Sequence, residues 1–212
     1  PFDAIQSYQT IAADGFYSPL RSIRDIKDLK GDIDLSYPYK IEQRIRPEPV
    51  HLLKFAMKQT FISGTARGYP SKNIESWQAG GKTGTSDDQR DSWFVGFAGD
   101  LLVLVWLGFD DNSPTPLTGR SGALEVWKNF INDIQPSSVE KNSFPRVKYI
   151  WTDKKDGLVS GEKCKNSLLV PFIIGTEPNT IPSVRSKCAS KPKRNQSDVM
   201  QKLKKVFEEG QG

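Results

Sequence analysis

The sequence is poor in the residues that bind metals and move protons near neutral pH. Its 212 residues include two cysteines, Cys164 and Cys188, and one histidine, His51. A site with four cysteine or histidine ligands needs more of these residues at short spacing, so we expect no metal site and no cofactor. Proton transfer by histidine would depend on His51 alone, which stands at the start of a helical pattern, where a surface or packed histidine is the more common case.

Long hydrophobic runs are also missing. The longest, LLVLVWLGF at residues 101–109, is far shorter than the roughly 20 residues that span a bilayer. A hydrophobic content of 36% still leaves enough apolar side chains for a core. The chain begins at Pro1 without a methionine and shows no signal peptide, so we expect it to be a piece of a longer protein.

The balance of charge is basic, with a formal net charge of +5. Such an excess permits attraction to nucleic acid, anionic lipid or cell-wall polymer, although dispersed lysines that serve solubility explain it more simply. The excess is concentrated in RSKCASKPKR, residues 185–194, which is typical of a tail rather than of a binding face. Because no arginine-rich recognition helix or aromatic–basic platform is present, we expect no nucleic-acid partner.

Hydrophobic periodicity predicts an α+β arrangement in the first 135 residues. The predicted elements are helices at 2–14, 47–63 and 121–134, strands at 77–86, 91–99 and 101–109, and an exposed hairpin within 21–35. Ser121 is the expected N-cap of the third helix. The uninterrupted apolar strand 101–109 is expected to be covered on both faces.

A domain boundary is predicted in the polar, proline-containing stretch QPSSVEKNSFP, residues 135–145. Two strand-like pieces, RVKYIWT and SLLVPFIIG, follow it. We therefore predict three parts, at 1–135, 136–196 and 197–212, of which the second is a small tail module and the third a short amphipathic helix.

The run Lys82-Thr83-Gly84-Thr85 raises the question of function. A phosphate-binding loop requires a glycine five positions before Gly81, where this chain has Ser76, and a helix after the motif, where this chain has a strand pattern. That interpretation therefore fails. Taken alone, three residues such as Lys-Thr-Gly are equally consistent with an ordinary hairpin.

The surroundings of this run resemble the penicillin-binding transpeptidases, and most closely the bifunctional class A enzymes. The resemblance lies in KTGT followed by DSWFVGF and VWLGFDDN, with YQTIAADGFYSPL and GTARG upstream. It covers residues 1 to about 135, and the cysteine-bearing tail resembles that of type 1B enzymes of Gram-negative bacteria. It implies part of the serine β-lactamase-like transpeptidase fold, in which an antiparallel sheet packs with helices, plus a small C-terminal tail module.

The resemblance also implies roles for the motif. Lys82 would supply positive charge, the hydroxyls of Thr83 and Thr85 would bind the substrate carboxylate, and Gly84 would let the substrate lie against the strand. The backbone N–H of Thr85 would form half of an oxyanion hole. Asp91 and Trp93 are expected to support the strand. The ligands would be peptidoglycan stem peptides and β-lactams, with further cell-wall synthesis proteins as possible partners.

The family also needs a Ser-x-x-Lys nucleophile and a Ser-x-Asn motif, both upstream of Lys-Thr-Gly. A Ser-x-x-Lys occurs at Ser138, which comes after the motif in a linker, and a Ser-x-Asn occurs at Ser71, which lies in the loop just before the motif. Both are misplaced. We therefore expect a C-terminal fragment of a D,D-transpeptidase that contributes the substrate-binding strand, has no catalytic serine and is inactive alone.

Two alternatives stay open. The chain could be a degenerate module that acts by binding peptidoglycan or a cell-wall partner, or a serine β-lactamase, against which the tail and the DSWF strand argue. The resemblance further implies a periplasmic location, with an inner-membrane anchor in N-terminal parts outside this chain. Because disulfides persist in that compartment and both cysteines fall in the tail, a Cys164–Cys188 disulfide is expected.

Overall fold

The structure is a computed structural model that describes residues 1–68, 75–140 and 142–178. It divides into two compact units, Pro1–Val147 and a second that begins at Lys148. The helices are α1 (Phe2–Ala12), α2 (Pro47–Ile62) and α3 (Ala123–Ile134). The strands are β1 (Phe16–Tyr17), β2 (Asp25–Lys27), β3 (Ile33–Ser36), β4 (Glu42–Gln43), β5 (Gly80–Thr85), β6 (Asp91–Ala98), β7 (Leu101–Gly108), β8 (Val147–Asp153) and β9 (Ser167–Ile173).

The first unit is organised around an antiparallel sheet in the order β5-β6-β7. Lys82 pairs with Val95 across the first ladder, and Trp93 pairs with Trp106 across the second. The β6–β7 turn depends on Gly99, which has a positive φ of 57° and lies so close to the Ser137 carbonyl that a Cβ would collide with it. The three strands that periodicity predicted in this region are thus confirmed.

Helix α3 forms the core by packing on one face of the sheet. Trp127 and Ile131 of α3 are fully buried, together with Phe94 of β6. The Trp127 ring lies 5.2 Å from that of Phe94 and 5.6 Å from that of Phe61 on α2, and its indole N–H donates to the Gly96 carbonyl at 3.2 Å. The apolar stripe of α3 therefore orients the helix across the strand that pairs with β5.

Two local predictions were wrong. Residues of β7 are half-buried rather than covered on both faces, and Trp106 is 37% exposed, because β7 is the last strand of the sheet within the described residues. The N-cap of α3 is Gly122, not Ser121. The Ser121 hydroxyl instead accepts a hydrogen bond from the Thr118 N–H at 2.9 Å.

Residues 16–46 form two small antiparallel ladders, β1–β4 and β2–β3. The second is the predicted exposed hairpin, and its register places Ile26 opposite Leu35. Both side chains are more than 40% exposed. A half-buried ion pair of 2.7 Å between Lys54 of α2 and Asp14 joins the end of α1 to α2.

In the second unit, the two strand-like pieces of the sequence form β8 and β9, and the structure pairs these two strands with each other. Cys164 is buried in the turn before β9, where its carbonyl accepts the Ser167 hydroxyl at 2.7 Å. Cys188 and the predicted helix at 197–212 lie outside the described residues. Within the described ranges, no helix is both long and apolar enough to cross a membrane.

Candidate active-site strand

The Lys-Thr-Gly-Thr run occupies β5, an edge strand of the described sheet. The Lys82 side chain is exposed, and its ammonium donates to the Thr83 carbonyl at 2.6 Å. It pairs with no carboxylate in the described part of the chain. Its positive charge is therefore not neutralised there and remains beside the two threonines.

A threonine in the loop that follows α2 contacts the Thr83 hydroxyl. The hydroxyl oxygens of Thr65 and Thr83 lie 2.9 Å apart, which is hydrogen-bonding distance. The loop is in place because α2 packs directly on β5. Sequence reasoning noted GTARG, residues 64–68, without assigning Thr65 a role, since a contact across 18 residues leaves no periodic signal.

The Thr85 hydroxyl is held by the loop that precedes α3. It accepts a hydrogen bond from the Gly119 N–H at 2.9 Å. Gly119 lies so close to β5 and β6 that an added Cβ would be 2.5 Å from the Gly84 carbonyl oxygen and 2.6 Å from that of Trp93. Only glycine permits this approach, so the loop rests on the backbone of the motif itself.

Ser92 of β6 anchors the same loop to the sheet. Its hydroxyl is fully buried, donates to the Thr118 carbonyl at 2.8 Å and accepts from the Ala123 N–H at 2.9 Å. Ser92 thereby satisfies the first N–H of α3, which has no capping side chain of its own. Sequence reasoning missed this role, because a serine inside a strand pattern is ordinarily counted as a solvent-facing residue.

Replacing Ser92 by alanine is expected to destabilise the start of α3 by about 1–3 kcal/mol, because it leaves the buried Ala123 N–H without its hydrogen-bond acceptor. Hydrogen exchange at residues 123–134 measures the effect. Ser7→Ala is the matched control, since the Ser7 hydroxyl donates to the Asp3 carbonyl at the surface of α1. Equal protection of α3 in the two variants would contradict the anchoring role.

Asp91 and the two sheet tryptophans form a support behind the motif. The Trp106 indole N–H donates to the Asp91 carboxylate at 2.8 Å, and the Trp93 and Trp106 rings lie 6.0 Å apart. The bond from Trp106, assisted by Ser86, lowers the pKa of Asp91 below its ordinary value. Asp91 thus stays ionised and is engaged within the sheet.

His51 and Ser138, which sequence reasoning set aside, lie outside this arrangement. His51 is on α2, where its ring packs 4.7 Å from that of Phe144, and burial lowers its pKa with a further contribution from Lys58. Ser138 is exposed in an irregular segment, whereas Ser71 lies outside the described residues. Across residues 1–68, 75–140 and 142–178, no group of three or more His, Cys, Asp or Glu side chains is arranged to hold a metal.

Comparison with known proteins decides the family. The family model described as the penicillin-binding protein transpeptidase domain matches residues 1–120. The chain belongs to this family. The match ends in the loop that rests on β5, so it includes α1, α2, the whole sheet and the motif.

Curated relatives and a solved structure agree with this assignment. The chain is 39% identical to penicillin-binding protein 1B of Vibrio cholerae over 140 residues, 66% of the chain and 18% of that protein. It is 39% identical to the 1B protein of Haemophilus influenzae over 62% of the chain and 17% of that protein. The crystal structure of Haemophilus influenzae penicillin-binding protein 1A matches with a TM-score of 0.69 at 21% identity, over 83% of the chain and 32% of that structure.

These matches confirm the predicted resemblance and the α+β transpeptidase fold. At 21% identity the structural match shows the fold alone, whereas the family itself is shown by the sequence match. The chain spans less than a fifth of the length of these 1B relatives.

Proposed function

We propose that this chain supplies the substrate-binding strand of a peptidoglycan D,D-transpeptidase, which cross-links stem peptides through a serine acyl-enzyme. The observation that carries the proposal is the exposed edge strand β5, where an unneutralised lysine stands beside two oriented threonine hydroxyls in a chain of this family. The family supports peptidoglycan and β-lactams as ligands. The proposed location is the periplasm, with the anchor in parts of the protein outside these residues.

Each group of the motif has a distinct task in this proposal. The ammonium of Lys82 makes the site attractive to the carboxylate at the end of a stem peptide or on a β-lactam. Thr83 and Thr85 donate hydrogen bonds to that carboxylate. The backbone N–H of Thr85 stabilises the oxyanion that develops as the serine attacks the carbonyl carbon. Together these groups bind and orient the substrate, and the covalent step takes place on the serine.

The proposed nucleophile lies outside residues 1–212. A serine that attacks an acyl group needs an adjacent base and a fixed position in a cleft. Ser138 is exposed in an irregular segment after α3, so it does not meet the second requirement. We therefore propose that the isolated chain forms no acyl-enzyme, whereas the complete protein that contains it does.

Labelling with a fluorescent penicillin tests the proposal. The complete protein is expected to give a saturable band on a denaturing gel, with the adduct mapped by mass spectrometry to a serine outside these residues. The isolated chain, shown to be folded by circular dichroism, is expected to give none. A labelled band from the isolated chain that Ser138→Ala abolished would show that Ser138 is a nucleophile. A complete protein that binds peptidoglycan but takes no label would instead favour the binding-module alternative.

A further inference from the structure

We infer that Thr65 is a positioning residue for carboxylate recognition: its hydroxyl orients that of Thr83, so that Thr83 and Thr85 donate together to one anionic group. The inference rests on the proposed function and adds a residue to its site. It depends on two independent hydrogen bonds to β5, one from the loop after α2 and one from the loop before α3.

The hydrogen bond from the Gly119 N–H to Thr85 leaves the Thr85 hydroxyl proton available for a ligand. A hydroxyl has one proton and can also accept, whereas a backbone N–H can only donate. Because the Gly119 N–H points at the Thr85 oxygen at 2.9 Å, that oxygen is the acceptor and its own proton is directed elsewhere. Thr85 is exposed, so this proton is accessible to a bound anion.

The bond at Thr83 has two possible directions, and an anion selects between them. If the Thr65 hydroxyl donates, the Thr83 proton remains free for a hydrogen bond to a ligand. If the Thr83 hydroxyl donates, its only proton is already used in the hydrogen bond to Thr65. A carboxylate placed at β5 favours the first direction, because it completes a chain from Thr65 to Thr83 to the anion. Hydrogen bonds in such a chain polarise and strengthen one another.

The strand geometry explains why orientation matters. Thr83 and Thr85 are two residues apart, so their side chains share one face of β5 and stand about 7 Å apart along the strand. Two hydroxyls can converge on one carboxylate across this distance only if both point inward. Thr85 is held by Gly119, and for Thr83 the corresponding support is Thr65.

Matched substitutions at Thr65 in the complete protein test the inference. Thr65→Val keeps the shape and removes the hydroxyl, and Thr65→Ser restores it. The acylation rate constant is measured with a penicillin that has a free carboxylate and with its methyl ester. For the free acid we expect a loss of about 3- to 10-fold in Thr65→Val, the size of one neutral hydrogen bond, and recovery in Thr65→Ser. For the ester we expect no change.

The ester separates positioning from a merely structural role. Equal losses with acid and ester in Thr65→Val, or no recovery in Thr65→Ser, would overturn the inference. Thr176→Val is the control, because Thr176 is also exposed and its hydroxyl donates to a backbone carbonyl in the second unit. If the wild type prefers the acid and Thr65→Val does not weaken that preference, only the inference fails. If the wild type takes no label at all, the proposed function fails with it.

Discussion

Replacing Lys82 by alanine in the complete protein is expected to lower the rate of β-lactam acylation by about 10²- to 10³-fold, the range found when a preorganised electrostatic group is removed from an active site. The Lys82 side chain is exposed and forms no ion pair within the described residues. Folding stability should therefore hardly change, since an exposed charge contributes little to it. Stopped-flow acylation with a reporter β-lactam measures the rate, and thermal unfolding measures the stability.

Two further variants separate charge from bulk. Lys82→Met keeps a long side chain without the ammonium, so it should lose as much activity as Lys82→Ala. Lys155→Ala removes an exposed lysine from the second unit and should leave acylation unchanged. If Lys82→Ala were acylated at the normal rate, the motif would be an ordinary hairpin strand with no role in the reaction.

Loss of the proposed Cys164–Cys188 disulfide is expected to destabilise the second unit by about 3 kcal/mol, the chain-entropy estimate for closing a loop of roughly 25 residues. Cys164 is buried before β9, in a unit whose described strands are only two and whose side chains are largely half-buried. A core this small buries little apolar surface, so it contributes little other stabilisation to the unit. The loosening should be confined to residues 145–190, while β5 stays protected.

Two measurements decide this prediction. Thiol titration of the oxidised, denatured protein should find no free thiol from this pair, and two free thiols would refute the bridge. Hydrogen exchange of the reduced protein should then show loss of protection in the second unit. If residues 79–109 lost as much protection as the tail, the disulfide would not serve the tail alone.

Much of the architecture was predictable because it follows from local chemistry. The 3.6-residue stripe of α3 predicted the helix that packs on the sheet, and the break between the predicted strands 91–99 and 101–109 falls at the β6–β7 turn, where Gly99 has a positive φ of 57°. The apolar run 101–109 predicted β7 but not its exposure. Composition shows that a strand can be covered, whereas the neighbouring elements decide whether it is.

The motif itself was also visible in the sequence. The run Lys82 to Thr85 with DSWFVGF after it led to the family, because the residue types that bind a carboxylate stand next to one another along one strand. The absence of a well-placed Ser-x-x-Lys was equally visible, since that pattern is local too. These features needed no knowledge of what lies across the sheet.

The supports of the motif were decided by the tertiary structure alone. Thr65 reaches Thr83 across 18 residues, Gly119 reaches Thr85 across 34, and Ser92 holds the loop across 26 to 31. Hydrogen bonds at such separations leave no period in the sequence, because the partners meet only after helices and strands have packed. By itself, therefore, the sequence determined which side chains recognise the substrate in the proposed site. Packing decided which groups hold those side chains in place, since orientation depends on distances that exist only in the folded chain.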